Sequence, residues 1–172
     1  MRIGTTEMTI RQRMKHKFVY ISILIIGFVC LSCEKREAYY RFSELQEDMW
    51  SKLDTIYFDI DSLSVLPNVP YDVTVELVNN SDYPYQNIWL YILDDFDSQN
   101  FTLEEKQYEL ADKLGKWHGS GFGSLYQLPL LYKKDVVFRE KRNYRLKVVH
   151  GMRDEPLQGI EKIGLKIEST QK

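Results

Sequence analysis

Tyr71-Asp72-Val73-Thr74-Val75-Glu76-Leu77 alternates apolar and polar residues at every step, and a period of two belongs to a β-strand with one face buried. The rhythm recurs on both sides of it. Residues 55–60 set Ile56, Phe58 and Ile60 on one face, residues 143–150 set Tyr144, Leu146 and Val148 against Arg145, Lys147 and Val149, and Ile163, Leu165 and Ile167 close the chain. Residues 107–111 and 136–138 are shorter candidates. Residues 87–94 are apolar on both faces, Ile88, Leu90 and Ile92 against Trp89, Tyr91 and Leu93. They read as a central strand covered on two sides, ahead of the alternative that the second face meets a partner. Turn signals such as Leu66-Pro67-Asn68-Val69-Pro70 and Asn79-Asn80-Ser81-Asp82-Tyr83-Pro84 separate the runs. At most a brief helix fits near residues 41–49. The pattern predicts an all-β fold, an antiparallel β-sandwich of about seven to eight strands.

The start of the chain has a different character. Arg11, Arg13, Lys15 and Lys17 precede an apolar run over residues 18–31 that ends in Leu31-Ser32-Cys33. A basic patch, a short hydrophobic stretch and a small residue before a cysteine read as a bacterial lipoprotein signal peptide over residues 1–32, with Cys33 as the lipidated first residue. About 14 apolar residues are too few for a spanning helix, which needs roughly 20. Cys30-Leu31-Ser32-Cys33 also has redox-pair spacing, but it closes a leader instead of sitting in a strand-turn-helix setting. Met14, directly before the basic and apolar run, makes a better start than Met1. Residues 33–38 then form a lipidated tether, and residues 39–172 the sandwich domain.

The full chain has 23 Lys+Arg and 25 Asp+Glu over 172 residues. The leader holds five of the basic and one of the acidic residues, so the mature part carries 18 and 24, a formal charge near −6 over 140 residues. That length suits one domain with a single core. An acidic balance argues against nucleic acid, whose binding rests on basic surface. Both cysteines, Cys30 and Cys33, precede the domain, so its stability comes from packing and it has no catalytic thiol.

Convergent chemistry is sparse. His118 and His150 are the only mature histidines and lack metal-ligand spacing, so no metal and no cofactor are expected. Gly119-Ser120-Gly121 does not place its serine in a nucleophile elbow. Asp94/Asp95 and Glu104/Glu105 would need to face one cleft to serve as glycosidase carboxylates. The expectation is a protein that is not an enzyme and has no small-molecule substrate. Gly115-Lys116-Trp117-His118-Gly119-Ser120-Gly121-Phe122-Gly123 lacks the Lys-Ser/Thr ending of a phosphate loop. It reads better as a sandwich-edge segment whose glycines allow positive φ and close approach, with Trp117 and Phe122 capping the core. The competing reading exposes those aromatics to a partner.

Several blocks taken in order carry a resemblance. They are Trp50-Ser51-Lys52, Asn79-Asn80-Ser81-Asp82-Tyr83-Pro84-Tyr85-Gln86-Asn87-Ile88-Trp89-Leu90, Tyr108-Glu109-Leu110-Ala111-Asp112 with the glycine-rich segment, and Gly151-Met152-Arg153-Asp154 through Leu157-Gln158-Gly159-Ile160 to Ile163-Gly164-Leu165. With Cys33 they resemble the gliding motility lipoprotein H (GldH) family over nearly all of the mature chain. The resemblance implies a non-enzymatic, acylated (palmitate-type) protein of the cell envelope. It also implies placement in the outer membrane facing the periplasm, and association with motility and type IX secretion machinery. Such families also occur in bacteria that do not glide.

The function expected is thus a lipid-tethered adaptor or assembly component whose partners are the membrane, through its anchor, and envelope complex proteins. Tyr83, Tyr85, Trp117, His118 and Phe122 are the candidate partner-binding residues, because exposed aromatics supply compact binding hot spots. The alternative is a glycan-binding sandwich, for which a planar row of exposed Trp and Tyr is the signature. Asp54-Thr55-Ile56 and Asp61-Ser62-Leu63 fit a short O-glycosylation pattern at Thr55 and Ser62.

Overall fold

The computed structural model of the chain describes residues 36–171. The predicted signal peptide, Cys33 and the first part of its tether lie outside the described residues.

Eleven strands follow one another among the described residues: β1 (Glu37–Glu44), β2 (Met49–Trp50), β3 (Ile56–Ile60), β4 (Pro70–Asn79), β5 (Asn87–Asp94), β6 (Thr102–Glu109), β7 (Ser120–Phe122), β8 (Leu125–Val137), β9 (Tyr144–His150), β10 (Leu157–Gln158) and β11 (Ile160–Ser169). Three have only two or three residues, so eight carry the architecture. They form a five-stranded sheet ordered β1-β11-β4-β8-β7 and a four-stranded sheet ordered β3-β9-β5-β6, with β10 and β2 paired apart. Every pairing is antiparallel. The all-β sandwich expected from the alternating runs is the fold observed.

The core lies between the sheets. Val73, Val75, Leu77, Leu165 and Ile167 from the larger sheet bury against Phe58, Leu90, Ile92, Leu146 and Val148 from the smaller one. Each such side chain contributes about 1.5–3 kcal/mol by leaving water. That gain offsets the backbone and side-chain entropy lost on ordering.

Four sequence expectations are corrected here. The segment over residues 41–49 is the second half of β1 and then a single 3-10 turn, Gln46–Asp48. Pairing with β11 (Arg41 opposite Leu165) recruits it as a strand from Glu37, two residues before the expected domain start. β8 runs for thirteen residues where only its last few were expected. Register shifts opposite Tyr71 and Val73 break its alternation, as a bulge does, and Pro129 sits on the exposed side of the strand.

The third and fourth corrections exchange two strands. β4, read as half-exposed, is buried on both faces. Its outer residue Glu76 is covered by Gln127, whose Nε2 donates to Glu76 Oε2 at 3.0 Å and to the Tyr40 hydroxyl at 3.1 Å. Phe42 lies so close over Gly164 that a Cβ there would sit 2.6 Å from the ring. β5, read as covered twice, is central in its sheet but covered once: Ile88, Leu90 and Ile92 are buried, while Trp89, Tyr91 and Leu93 face outward.

The registers define two ends. Glu37 lies opposite Glu168, Ser169 opposite Tyr71, and Pro70 opposite Val137, so the chain enters the sandwich beside the loops at residues 61–69, 95–101 and 138–143. Phe96, Phe138 and Tyr144 plug this entry end, with Phe138 and Tyr144 ring centroids 4.7 Å apart. The Tyr144 hydroxyl donates to Glu140 O at 2.7 Å, the arrangement of a tyrosine corner. Residues 45–55, 80–86, 110–119 and 151–156 gather at the far end.

Candidate partner surface

The far end is organised by backbone approaches that only glycine allows. Gly159 has φ +85°, and a Cβ on it would stand 2.4 Å from Tyr83 N. Tyr83 is 3 % exposed. Its hydroxyl donates to Asn87 O at 2.8 Å, and burial pushes its pKa well above the ordinary tyrosine value. Tyr83 is therefore an internal brace, not an exposed hot spot. Trp117 is half-buried between Tyr83 and Tyr126, ring centroids 6.3 and 5.7 Å away, and its strand bridge to Ala111 fixes the loop. That geometry is the capping arrangement expected of Trp117; the Phe122 side chain lies outside the described residues.

His118 is exposed while its backbone N–H donates to Leu110 O at 2.8 Å. Phe122 ends β7 opposite Leu125, across the turn at Gly123, whose φ is +66°. Gly119 and Gly121 run so close to β8 that a Cβ would meet Gln127 O at 2.6 Å and Leu125 O at 2.3 Å respectively. Asp112 organises the preceding turn by accepting from Leu114 N and Lys116 N at 2.9 Å each. The Lys116 N–H holds its carboxyl below the usual range. Thr55 stands at the far end before β3, and Ser62 at the entry end, where its N–H donates to Asn143 Oδ1 at 3.0 Å.

Tyr85 takes part in a cleft that the spacing of the motifs did not disclose. Gly151 N donates to Trp89 O at 2.7 Å and Trp89 N to Met152 Sδ at 3.3 Å, which stitches the chain after β9 to the start of β5. An open cleft of about 390 Å³ forms there, lined by Tyr85, Asn87, Trp89, Glu105, Met152 and Arg153. The Tyr85 hydroxyl donates to Asp154 Oδ2 at 2.7 Å, and that bond raises its pKa. Two blocks distant in sequence, residues 79–90 and 151–154, thus make one site. The signal available in the sequence was the outward set Trp89, Tyr91 and Leu93 on β5.

From this cleft the outer face of the smaller sheet extends toward the entry end. Leu103 lies opposite Leu93, which lies opposite Lys147, which lies opposite Tyr57, one continuous row across four strands. Tyr57 is 53 % exposed, Leu103 57 % and Tyr91 37 %. Lys147 Nζ stands 3.8 Å from the centre of the Phe101 ring. Both outer sheet faces display apolar side chains, but on the larger sheet Gln127 and Tyr40 cover Glu76 and Phe42 covers Gly164, whereas on β5 Tyr91 is exposed and Trp89 and Leu93 are half-buried. With Lys147 at its centre, the row is a mixed apolar and charged surface.

Three of the four carboxylates that sequence singled out, Asp94, Asp95 and Glu104, have internal partners. Asp94, 1 % exposed, accepts from the Tyr132 hydroxyl and from Lys133 Nζ, the latter at 2.6 Å. Lys133 also reaches Glu104 at 3.2 Å. In an open cleft of about 560 Å³ at the entry end, Asp59 is paired with Arg145 at 2.5 Å, Asp95 with Arg142 at 3.1 Å, and Asp61 accepts from Leu63 N. Among the described residues, no group of three or more His, Cys, Asp or Glu is arranged to hold a metal ion.

Comparison with known proteins identifies the fold's lineage. The gliding motility lipoprotein GldH homolog of Christiangramia forsetii is 28% identical over 160 residues, covering 89% of this chain and 94% of that protein. The gliding motility lipoprotein GldH of Flavobacterium johnsoniae is 26% identical over 153 residues, covering 85% and 93%. A chain of infectious bursal disease virus, Gx strain, overlaps 78% of this chain and 31% of its own, at TM-score 0.30 and 14% identity, a likeness too loose to define shared topology. The profile of the GldH lipoprotein family matches residues 37–167. The chain belongs to the GldH lipoprotein family.

Proposed function

We propose that this protein is a non-catalytic adaptor of the bacterial cell envelope, acylated on Cys33, that docks envelope partners of a gliding or secretion apparatus through the open face of its smaller sheet. The family, whose relatives are named for gliding motility, supports the setting. Two acyl chains make the attachment stable, since each buried methylene contributes roughly 0.8 kcal/mol. The periplasmic side of the outer membrane is the placement this reading adopts.

The observation that carries the adaptor reading is the uncovered row from Leu103 to Tyr57 with the Trp89–Arg153 cleft beside it. It is a mixed apolar and charged surface, which fits a protein better than a sugar. The three tryptophans do not form an exposed stacking platform: Trp50 is fully buried, and Trp89 and Trp117 are half-buried. Engagement of Asp59, Asp94 and Asp95 in internal bonds favours a non-catalytic role. The test is the double substitution Tyr91→Glu, Leu103→Glu, followed by co-purification from native membranes. The folded, membrane-bound variant is expected to lose its envelope partners; unchanged co-purification would refute the docking face.

A further inference from the structure

We infer that the entry end of the sandwich is a membrane-contact surface, with Leu63 and Leu66 seated in the headgroup layer of the bilayer that holds Cys33. This rests on the acylation of Cys33 proposed above and adds an orientation to it. Only Glu34, Lys35 and Arg36 separate Cys33 from the first residue of β1. Four Cα steps reach at most about 14 Å, so the domain is held against the lipid surface by that end.

The end that faces the anchor is defined by pairing. Ser169 N donates to Arg36 O at 2.9 Å and Thr170 N to Pro70 O at 3.0 Å. β4 therefore begins two strand spacings, about 10 Å, from where the tether enters. The loop leading into β4 presents two leucines there, Leu63 at 78 % and Leu66 at 59 % exposure.

These leucines are held outward by an ordered loop. Val65 between them is buried, Leu63 N donates to Asp61 Oδ1 at 2.8 Å, Leu66 N to the Tyr71 hydroxyl at 2.9 Å, and Asn68 N to Phe138 O at 2.9 Å. Because the loop is ordered already, burying both side chains in lipid costs little further entropy. The charge around them is mixed and includes basic groups able to meet lipid headgroups. Lys134, Arg139 and Lys141 are exposed beside the loop. Asp95 and Glu140, their acidic neighbours, are paired with Arg142 at 3.1 and 3.3 Å. Glu37, Asp61, Asp97 and Asp135 also stand at this end, so the leucines and the short tether carry the contact and the basic groups assist it. A glycan on Ser62 would stand between this loop and the bilayer, so Ser62 is expected to be unmodified.

The test uses the acylated mature protein in vesicles of phosphatidylethanolamine with a minor fraction of phosphatidylglycerol. A fluorophore is attached at Leu63→Cys or, at the far end, at Leu114→Cys, whose parent side chain is 94 % exposed. Position 63 is expected to be quenched by nitroxide-bearing lipid and shielded from aqueous iodide on the order of tenfold better than position 114, the reduction that partial lipid burial of one leucine gives. Vesicle flotation of the same samples separates the two ideas. Protein that fails to float overturns the anchor and this orientation together. Protein that floats with positions 63 and 114 equally open to iodide overturns the orientation alone.

Discussion

Replacing Gly159 by Ala isolates the contact that shapes the far end. The residue has φ +85°, a backbone conformation costing a side-chain-bearing residue about 1–2 kcal/mol. Its Cβ would also stand 2.4 Å from Tyr83 N and 2.6 Å from Tyr83 Cα, backbone atoms that cannot rotate away. Forcing such a contact adds about 1–3 kcal/mol of overpacking, so the substitution should cost about 3 kcal/mol in all. Gly115→Ala is the internal control, with φ +82° but no atom within 4 Å of the new Cβ, and it should cost about 1 kcal/mol. Urea unfolding of the soluble domain measures both. With a slope of about 2 kcal/mol/M, the Gly159→Ala midpoint should fall about 1 M below that of Gly115→Ala. Equal midpoints would refute the claim that Tyr83 and Gly159 are locked by direct backbone approach.

Asp94→Asn should destabilise the domain by about 3 kcal/mol in the same assay, because it leaves Lys133 short of a buried counter-charge; a loss below 1 kcal/mol would show that Glu104 suffices as partner. His150 is fully buried against Trp50, its ring nitrogens without a hydrogen bond and the Glu155 carboxylate 3.9 Å away, and burial lowers its pKa. The unfolded chain therefore binds this proton more readily, so stability present above the ordinary histidine value of about 6.5 is lost as pH falls toward the lowered folded value. His150→Phe should flatten that part of the stability profile, and an unchanged slope would assign it elsewhere. Intact-mass measurement of the native protein is expected to show at most one glycan, at Thr55 and not at Ser62, and the mass of the acylated polypeptide alone would dismiss Thr55 as well.

The strands whose apolar residues keep strict alternation, β3, β4, β9 and β11, were legible because one inward face needs a period of two. β8 was not, since its bulges shift the pattern and Leu130-Leu131 points apolar groups both ways. β1 was hidden for a different reason: Glu37-Ala38-Tyr39-Tyr40-Arg41-Phe42 has aromatic residues on both sides of an edge strand, and its outward rings serve residues remote in sequence, Phe42 covering Gly164 and Tyr40 bonding Gln127. Alternation also says which residues share a face without saying what covers it. That is why β4 and β5 exchanged roles, β4 being roofed by residues remote in sequence and β5 left open. The cleft at Trp89 and Arg153 was out of reach for the same reason, as only the β5–β9 pairing brings residues 85–89 beside residues 151–153.

The mass of the amino-terminal peptide from protein purified out of native membranes tests the central claim most directly. The account predicts a peptide that begins at Cys33 and carries fatty acyl chains, with Cys33→Ala protein released from the membrane in folded form. An unacylated peptide that still contains residues 18–31, or Cys33→Ala protein that stays membrane-bound, would contradict it.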